Sequence, residues 1–386
     1  MVAIRGVGWP DPNSGKKNPR RSDSELTFDF SANAGAESGL SDEDLYIHIM
    51  DMASLGHRLG YDTLWMVEHH FSDYYPSPSP LVLLSYVAAL CPRLSLGTMV
   101  LVTPWYDARR LAEEISILSH LTKGDLHLGL GRGTALSEYQ AFDVPMEEAR
   151  ERFRESYELI DLALQGEPFT YNGRYLRVPR KITLRPAANR DKINFYGAIG
   201  NPLSAGRMAQ LGLSPLSISY FDFETQEDIL SNWAAVAKAR GKATDVSKAI
   251  AVNCVIADTD EEAQEIARKY LPTWFQMQID HYEVDKRLHR NIKTYEAFDE
   301  LLGKFHSFSD PKTMEAYLGL QFVGTAQTIG ARIERYQDAG FNRFIIQAGV
   351  PGTPRSVQRD VLTRFAKEIA PEYSSRFNEP VRKVGI

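Results

Sequence analysis

Only two cysteines, Cys91 and Cys254, occur in the 386 residues, far apart and each in an apolar segment. They form no CxxC pair, so neither a thiolate metal clamp nor a redox dithiol is indicated. The start "MVAIRGVGWPDP" lacks the apolar stretch of a secretory signal, and together these features favour a reducing cytoplasm. Long hydrophobic runs are missing too: nothing approaches the roughly 18 apolar residues of a membrane span. Positive charge is not in excess, with a net charge of -6. The one basic cluster, Lys16, Lys17, Arg20 and Arg21, lies in a Pro/Asn/Ser-rich stretch and reads as a solvated tail. Nucleic acid is therefore not an expected partner. Also absent is a GxGxxG turn after the first strand, where "NAGAESG" stands instead. That counts against a doubly wound dinucleotide-binding sheet.

What is present is ordinary globular composition, 43% hydrophobic and 24% charged. A chain of this length builds its core without disulfides or metal. Apolar strands alternate with helical stretches: 26–32, 61–67, 94–102, 125–131, 193–199, 214–220, 248–257 and 343–349. Ser41 with Asp44, Asn201 with Pro202, Asp258 with Glu261, and Thr325 mark helix starts. Residues 166–192 read as loop or a short hairpin. Eight strands, most followed by helices, predict an α/β fold, a (β/α)8 TIM barrel. The barrel is expected over 25–375, between an irregular extension (1–24) and a tail (376–386). The segment 271–322, rich in aromatic and charged residues, is too long for an ordinary connection. It reads as an inserted helical lid.

In such a barrel the active site lies at the C-terminal ends of the strands. The second strand ends in Glu68, His69, His70 and Phe71, polar groups that are costly to bury without partners. Side chains of neighbouring strand residues diverge, so His69 and His70 are poorly placed to chelate one metal ion. The bland alternative is loop histidines bonded to the barrel rim. In "GLGRGTALSEY", glycines flank Arg132, whose guanidinium suits a phosphate; a surface ion pair is the alternative. In "YGAIGNPLSAGRMAQLG", Gly200, Asn201, Pro202 and Ser204 open a helix whose free N–H groups favour an anion; a well-capped helix is the alternative. The stretch "LSLGTMVLVTPW" reads as plain core. Trp65, Trp105, Tyr106 and Trp274 or Phe275 are candidates to line an apolar pocket.

Together, "GYDTLWMVEHHF", "LGTMVLV-P", "RRLAEEISILSHLTKGDLHLGLGRG", "EYQAF", "YNGRYLRV" and "VGTAQTIGARIERYQDAGFNRFII" resemble the bacterial luciferase-like flavin monooxygenases, in order and spacing, from Leu26 to Phe365. The resemblance implies a homodimeric TIM barrel. It implies reduced FMN as a co-substrate, supplied by a separate NAD(P)H-dependent flavin reductase, and O2 that oxygenates a small organic substrate through a 4a-peroxyflavin. It makes His69 the catalytic histidine and puts Glu68 near the flavin ring, where Glu68 would orient His69 or raise its pKa. It puts a non-proline cis peptide at Met99–Val100 under the ring and Ala198 on the flavin wall. Arg132, Gly200, Asn201 and Ser204 would hold the FMN phosphate. Two departures stand out. Gly131 occupies the position of the luciferases' reactive cysteine, so light emission with an aldehyde is not implied. Gly200 replaces their acidic residue in the phosphate loop. Rival readings are a deazaflavin-dependent oxidoreductase on the same fold, a non-catalytic flavin-binding protein and a metal-dependent barrel hydrolase.

Overall fold

A computed structural model describes residues 25–32, 41–286, 292, 295, 303, 305–348 and 352–378. The extension read at 1–24, and 379–386 of the tail, lie outside the described residues. The strands in chain order are β1 (Thr27–Ser31), β2 (Thr63–Met66), β3 (Ser95–Val102), β4 (Leu126–Gly131), β5 (Phe169–Asn172), β6 (Arg177–Ile182), β7 (Ile193–Ala198), β8 (Ser214–Ile218), β9 (Ala249–Ile256), β10 (Phe322–Gly324) and β11 (Arg343–Ala348). Eight of them are parallel neighbours in the order β1-β2-β3-β4-β7-β8-β9-β11, and β11 pairs with β1. The ring is closed, which is the TIM barrel and excludes the open sheet. Register is pinned at the seam by Phe28 opposite Phe344 and Leu216 opposite Ala249. Strands buried on both faces read as near-continuous apolar runs; every residue of β4 is buried.

Three strands lie outside the ring. β5 and β6 form the antiparallel hairpin within 166–192. β10 adds beside β9; its three residues are too few to show a period in sequence. Several helices begin at short polar caps. Ser41 caps α1 (Asp42–Leu59) and Asp107 caps α3 (Ala108–Leu121), with α2 (Pro80–Leu90) between them. After β4 come α4 (Leu136–Ala141) and α5 (Ala149–Leu164). Asn201 caps α6 (Pro202–Leu211), and Asp222 caps α7 (Phe223–Ala239).

The helix after β9 departs from expectation at both ends. Its cap is Thr259, accepting from the Glu262 N–H, one residue beyond the predicted Asp258–Glu261 pair. This helix, α8 (Asp260–His281), then runs on through Pro272 to His281, so the start of the 271–322 segment is helix continued from the barrel. Pro272 removes one i to i−4 bond without ending it. Leu271, Trp274, Phe275 and Ile279 of α8 share a buried cluster with Phe305, Phe308, Tyr317 and, from the barrel end, Val67, Tyr74 and Tyr75. Burying these aromatics holds the segment against the C-terminal ends of the strands. No helix among the described residues is long and apolar enough to cross a membrane.

Candidate active site

The polar residues closing β2 go to different partners. Glu68 is 2% exposed. Its carboxylate accepts from the Val102 N–H (3.1 Å), Trp105 Nε1 (3.0 Å) and the Tyr106 hydroxyl (3.0 Å), and lies 3.1 Å from His70 Nε2. Its partners are therefore the end of β3, the turn after it and His70. The expectation that it orients His69 is not met, because successive residues along an extended strand point to opposite sides. His70, bonded to Glu68, is the rim histidine of the bland reading.

His69 turns the other way. Its Nδ1 is 3.8 Å from Glu138 Oε1, and its ring lies 4.7 Å from those of Tyr74 and His281. Burial pushes its pKa down to about 3, aided by the nearby His70. Against the ordinary value of ~6.5, this makes His69 a neutral imidazole near pH 7. His281, the last residue of α8, is likewise pushed down to about 3, by burial first and then by His69, with Glu138 opposing. Burial raises the pKa of Glu138, which sits on α4, against the lowering effect of His281 and the His70 N–H. Ligand atoms of His69, Glu138 and His281 lie within 4.8 Å of one another. Tetrahedral zinc with bonds of about 2.0–2.1 Å needs them about 3.4 Å apart; Glu138 Oε1 lies 3.6 Å from His281 and 3.8 Å from His69, so the trio would have to draw together to hold an ion.

Beside this cluster runs the end of β3. The Met99–Val100 peptide bond is cis. Both side chains pack on the barrel-interior group of Trp65, Tyr196, Leu216 and Ile345. Met99 also meets the aromatic cluster beneath α8. A Cβ at Gly131 would come within 2.4 Å of Val100 Cγ2, so a cysteine there requires Val100 to move. Trp65 does not line an open pocket: it is fully buried, and its Nε1 donates to Asp29 Oδ2 at 2.7 Å inside the barrel. Trp274 and Phe275 are buried in the cluster under α8. Trp105, stacked 5.2 Å from Phe142, and Tyr106 bind Glu68.

The third part is cationic. Arg132 follows β4, and its guanidinium lies 3.8 Å over the Tyr295 ring. Tyr139 donates its hydroxyl to the Arg132 carbonyl, and Tyr295 donates to the Gly133 carbonyl at 2.8 Å. Arg150 and Arg207 have pKa values lowered by burial and by the charge of Arg132, and Arg150 also by that of Arg207. Three guanidiniums thus feel one another, the charge pattern of an anion site. At the start of α6, Ser204 Oγ accepts from the N–H groups of Gly200 (3.0 Å) and Asn201 (3.1 Å), and Asn201 Oδ1 accepts from the Ser204 N–H at 2.8 Å. These donors are turned inward in a capping box, so arginines supply the charge. Ala198 is exposed at the tip of β7.

The luciferase-like monooxygenase profile matches residues 27–343. The chain belongs to the luciferase-like monooxygenase family. It is 22% identical over 349 residues to the oxygenase component of the flavin-dependent trigonelline monooxygenase of Acinetobacter baylyi, covering 86% of this chain and 91% of that protein. A shorter stretch of 130 residues is 36% identical to y4vJ of Sinorhizobium fredii, spanning 34% of this chain and 37% of that one. Among solved structures, the FMN complex of the oxygenating constituent of 3,6-diketocamphane monooxygenase from Pseudomonas putida matches with a TM-score of 0.72 at 18% identity, covering 90% of this chain and 99% of that one. An F420-dependent secondary alcohol dehydrogenase matches at 0.69 and 14%, covering 92% and 100%. At these identities the structural matches establish the fold.

Within this luciferase-like barrel, sequence reasoning missed Glu138, His281, Arg150 and Arg207. Glu138 stands in the "EYQAF" motif, but a six-residue helix shows no periodicity to mark a buried carboxylate. His281 ends a helix that sequence treats as insertion. The two arginines sit in amphipathic helices, where an arginine is by default a solvated residue.

Proposed function

We propose that this chain is the oxygenase component of a two-component flavin-dependent monooxygenase, taking reduced FMN from a separate NAD(P)H-dependent flavin reductase and using O2 to oxygenate a small organic substrate. One observation carries this: the charges of Arg132 and Arg207 bear on Arg150, and that of Arg132 on Arg207, so positive charge is concentrated beside the end of β4. An anion shared by like charges relieves their repulsion, and a flavin phosphate is such an anion. The flavin, when bound, supplies the electrons that activate oxygen. The chain's own residues do the rest. The arginines hold the phosphate, beside the capped start of α6. Met99, Val100 and Ala198 support the ring. Neutral His69 meets the reacting oxygen or a substrate proton. The aromatic cluster under α8 keeps water out, as a lid would. The family membership, the FMN-bound neighbour and the relative described as an oxygenase component support the reading.

The F420-dependent neighbour supports the second reading, a deazaflavin-dependent oxidoreductase. Anaerobic titration separates the two. Reduced FMN is expected to bind more tightly than reduced riboflavin, which lacks the phosphate. Arg132→Ala should weaken FMN by about tenfold or more, from a lost charged hydrogen bond of about 1.5–3 kcal/mol, and leave riboflavin unchanged. Tighter binding of F420 than of FMN would replace this proposal with the second reading.

A further inference from the structure

The long helix α8 delivers His281 onto His69, with the two rings nearly perpendicular at 84°. Both imidazoles address one atom: Glu138 Oε1 lies 3.6 Å from His281 Nε2 and 3.8 Å from His69 Nδ1, and accepts from the His70 N–H at 2.7 Å. His281 is 6% exposed, its Nε2 is buried without a hydrogen-bond partner, and its Nδ1 lies 2.8 Å from Ser72 Oγ. Two bare ring nitrogens facing one carboxylate oxygen would repel it; two N–H groups would be attracted. The Ser72 hydroxyl can donate to His281 Nδ1, which leaves Nε2 carrying the proton.

We propose that His281 is a positioning residue: its Nε2–H supports the Glu138 carboxylate, which in turn draws the proton of His69 to Nδ1 and leaves the His69 Nε2 lone pair for the ligand. This rests on the reading of His69 as the oxygen-site residue and deepens it. The atom that meets His69 must then be a proton donor, a hydroxyl or N–H of the substrate or of the activated oxygen, and not a bare carbonyl or carboxylate. The distances of 3.6 and 3.8 Å exceed a hydrogen bond, and such contacts often tighten only when a ligand arrives. The helix carrying His281 also packs the aromatic cluster under it, so closure and the tautomer of His69 are linked.

The groups facing His69 are His70, Tyr74 and Tyr75 from the loop after β2, Glu138 from α4, and His281 and Tyr282 at the end of α8. The three tyrosines stay protonated, because burial raises each phenol. Glu138 is therefore the group whose state decides. Without the His281 N–H, the buried carboxyl holds a proton to higher pH, donates it to His69 Nδ1 and moves the His69 hydrogen to Nε2.

The test is nitrogen-15 NMR of the His69 ring in the full chain without flavin, across pH. Wild type should show the Nδ1–H tautomer at neutral pH. His281→Ala should move the tautomer change upward by at least one pH unit, a tenfold change in the equilibrium. His281→Gln, which keeps an N–H donor, should restore it. An unchanged tautomer in a folded His281→Ala, or an Nε2–H tautomer in wild type, overturns the proposal. So does stoichiometric Zn2+ binding that shifts both rings, since the trio is then a metal site. These readouts need no flavin, so failure to bind reduced FMN would count against the function proposed above and leave this inference to stand or fall separately.

Discussion

Glu68 holds three side chains and one backbone N–H around a carboxylate that is 2% exposed, while His69 beside it makes no such clamp. The two should therefore fail differently. Glu68→Ala orphans the buried Val102 N–H, at about 1–3 kcal/mol, and the half-buried donors of Trp105 and Tyr106. A fall in melting temperature of many degrees is expected, with soluble yield reduced. His69→Ala should melt near the wild type and still bind FMN, but divert oxygen to free peroxide. A Glu68→Ala protein that melts normally would show that the clamp stores no stability. Normal product yield from His69→Ala would remove His69 from the chemistry. The motif "EHHF" made both residues legible as a polar strand end. Which of them faces the ligand depends on where each side chain turns, and that required β3, α4 and α8 in place.

At the scale of elements, the seam between α8 and the loop after β2 holds two imidazoles, the half-buried His69 and the buried His281, each pushed down to a pKa of about 3. Unfolded histidine titrates near ~6.5. Between those values the unfolded chain binds more protons than the folded one, so stability is present above about pH 6.5 and is lost as pH falls toward 3. Each histidine contributes a slope of about 1.4 kcal/mol per pH unit. Glu138, raised by burial, has the opposite sign and offsets part of the loss. Urea midpoints followed from pH 7 to pH 4 should fall steeply, and His281→Gln should flatten the fall by about one proton. Parallel curves for the two proteins would place the acid sensitivity elsewhere. Sequence could not supply this seam. The eight barrel strands and the caps at Ser41, Asn201 and Thr325 were readable because each is a local pattern. The run of α8 past Pro272 was not, because tertiary burial of Trp274 and Phe275 overrides a residue that usually ends a helix.

At the scale of the molecule, closure of the barrel leaves apolar side chains exposed on two of its outer helices. On α2, Val82, Tyr86 and Leu90 are 68%, 59% and 42% exposed. They are spaced by four residues and so lie on one face. On α3, which packs against α2, Ile117 and Leu121 are 47% and 54% exposed and also four apart. Single exposed apolar residues are commonplace, but exposed apolar residues at four-residue spacing on each of two packed helices suit a contact surface. The homodimer implied by the resemblance is expected to use it, since a two-fold interface sets the same patch against itself. Sedimentation velocity should find a dimer for wild type. Tyr86→Glu combined with Leu121→Glu should give a monomer with an unchanged circular dichroism spectrum, because both side chains are exposed in the single chain. A dimer that survives both charges would have to use another face. A wild-type monomer would leave the stripe free for the reductase, and crosslinking of the two proteins through Tyr86→Cys would then report it.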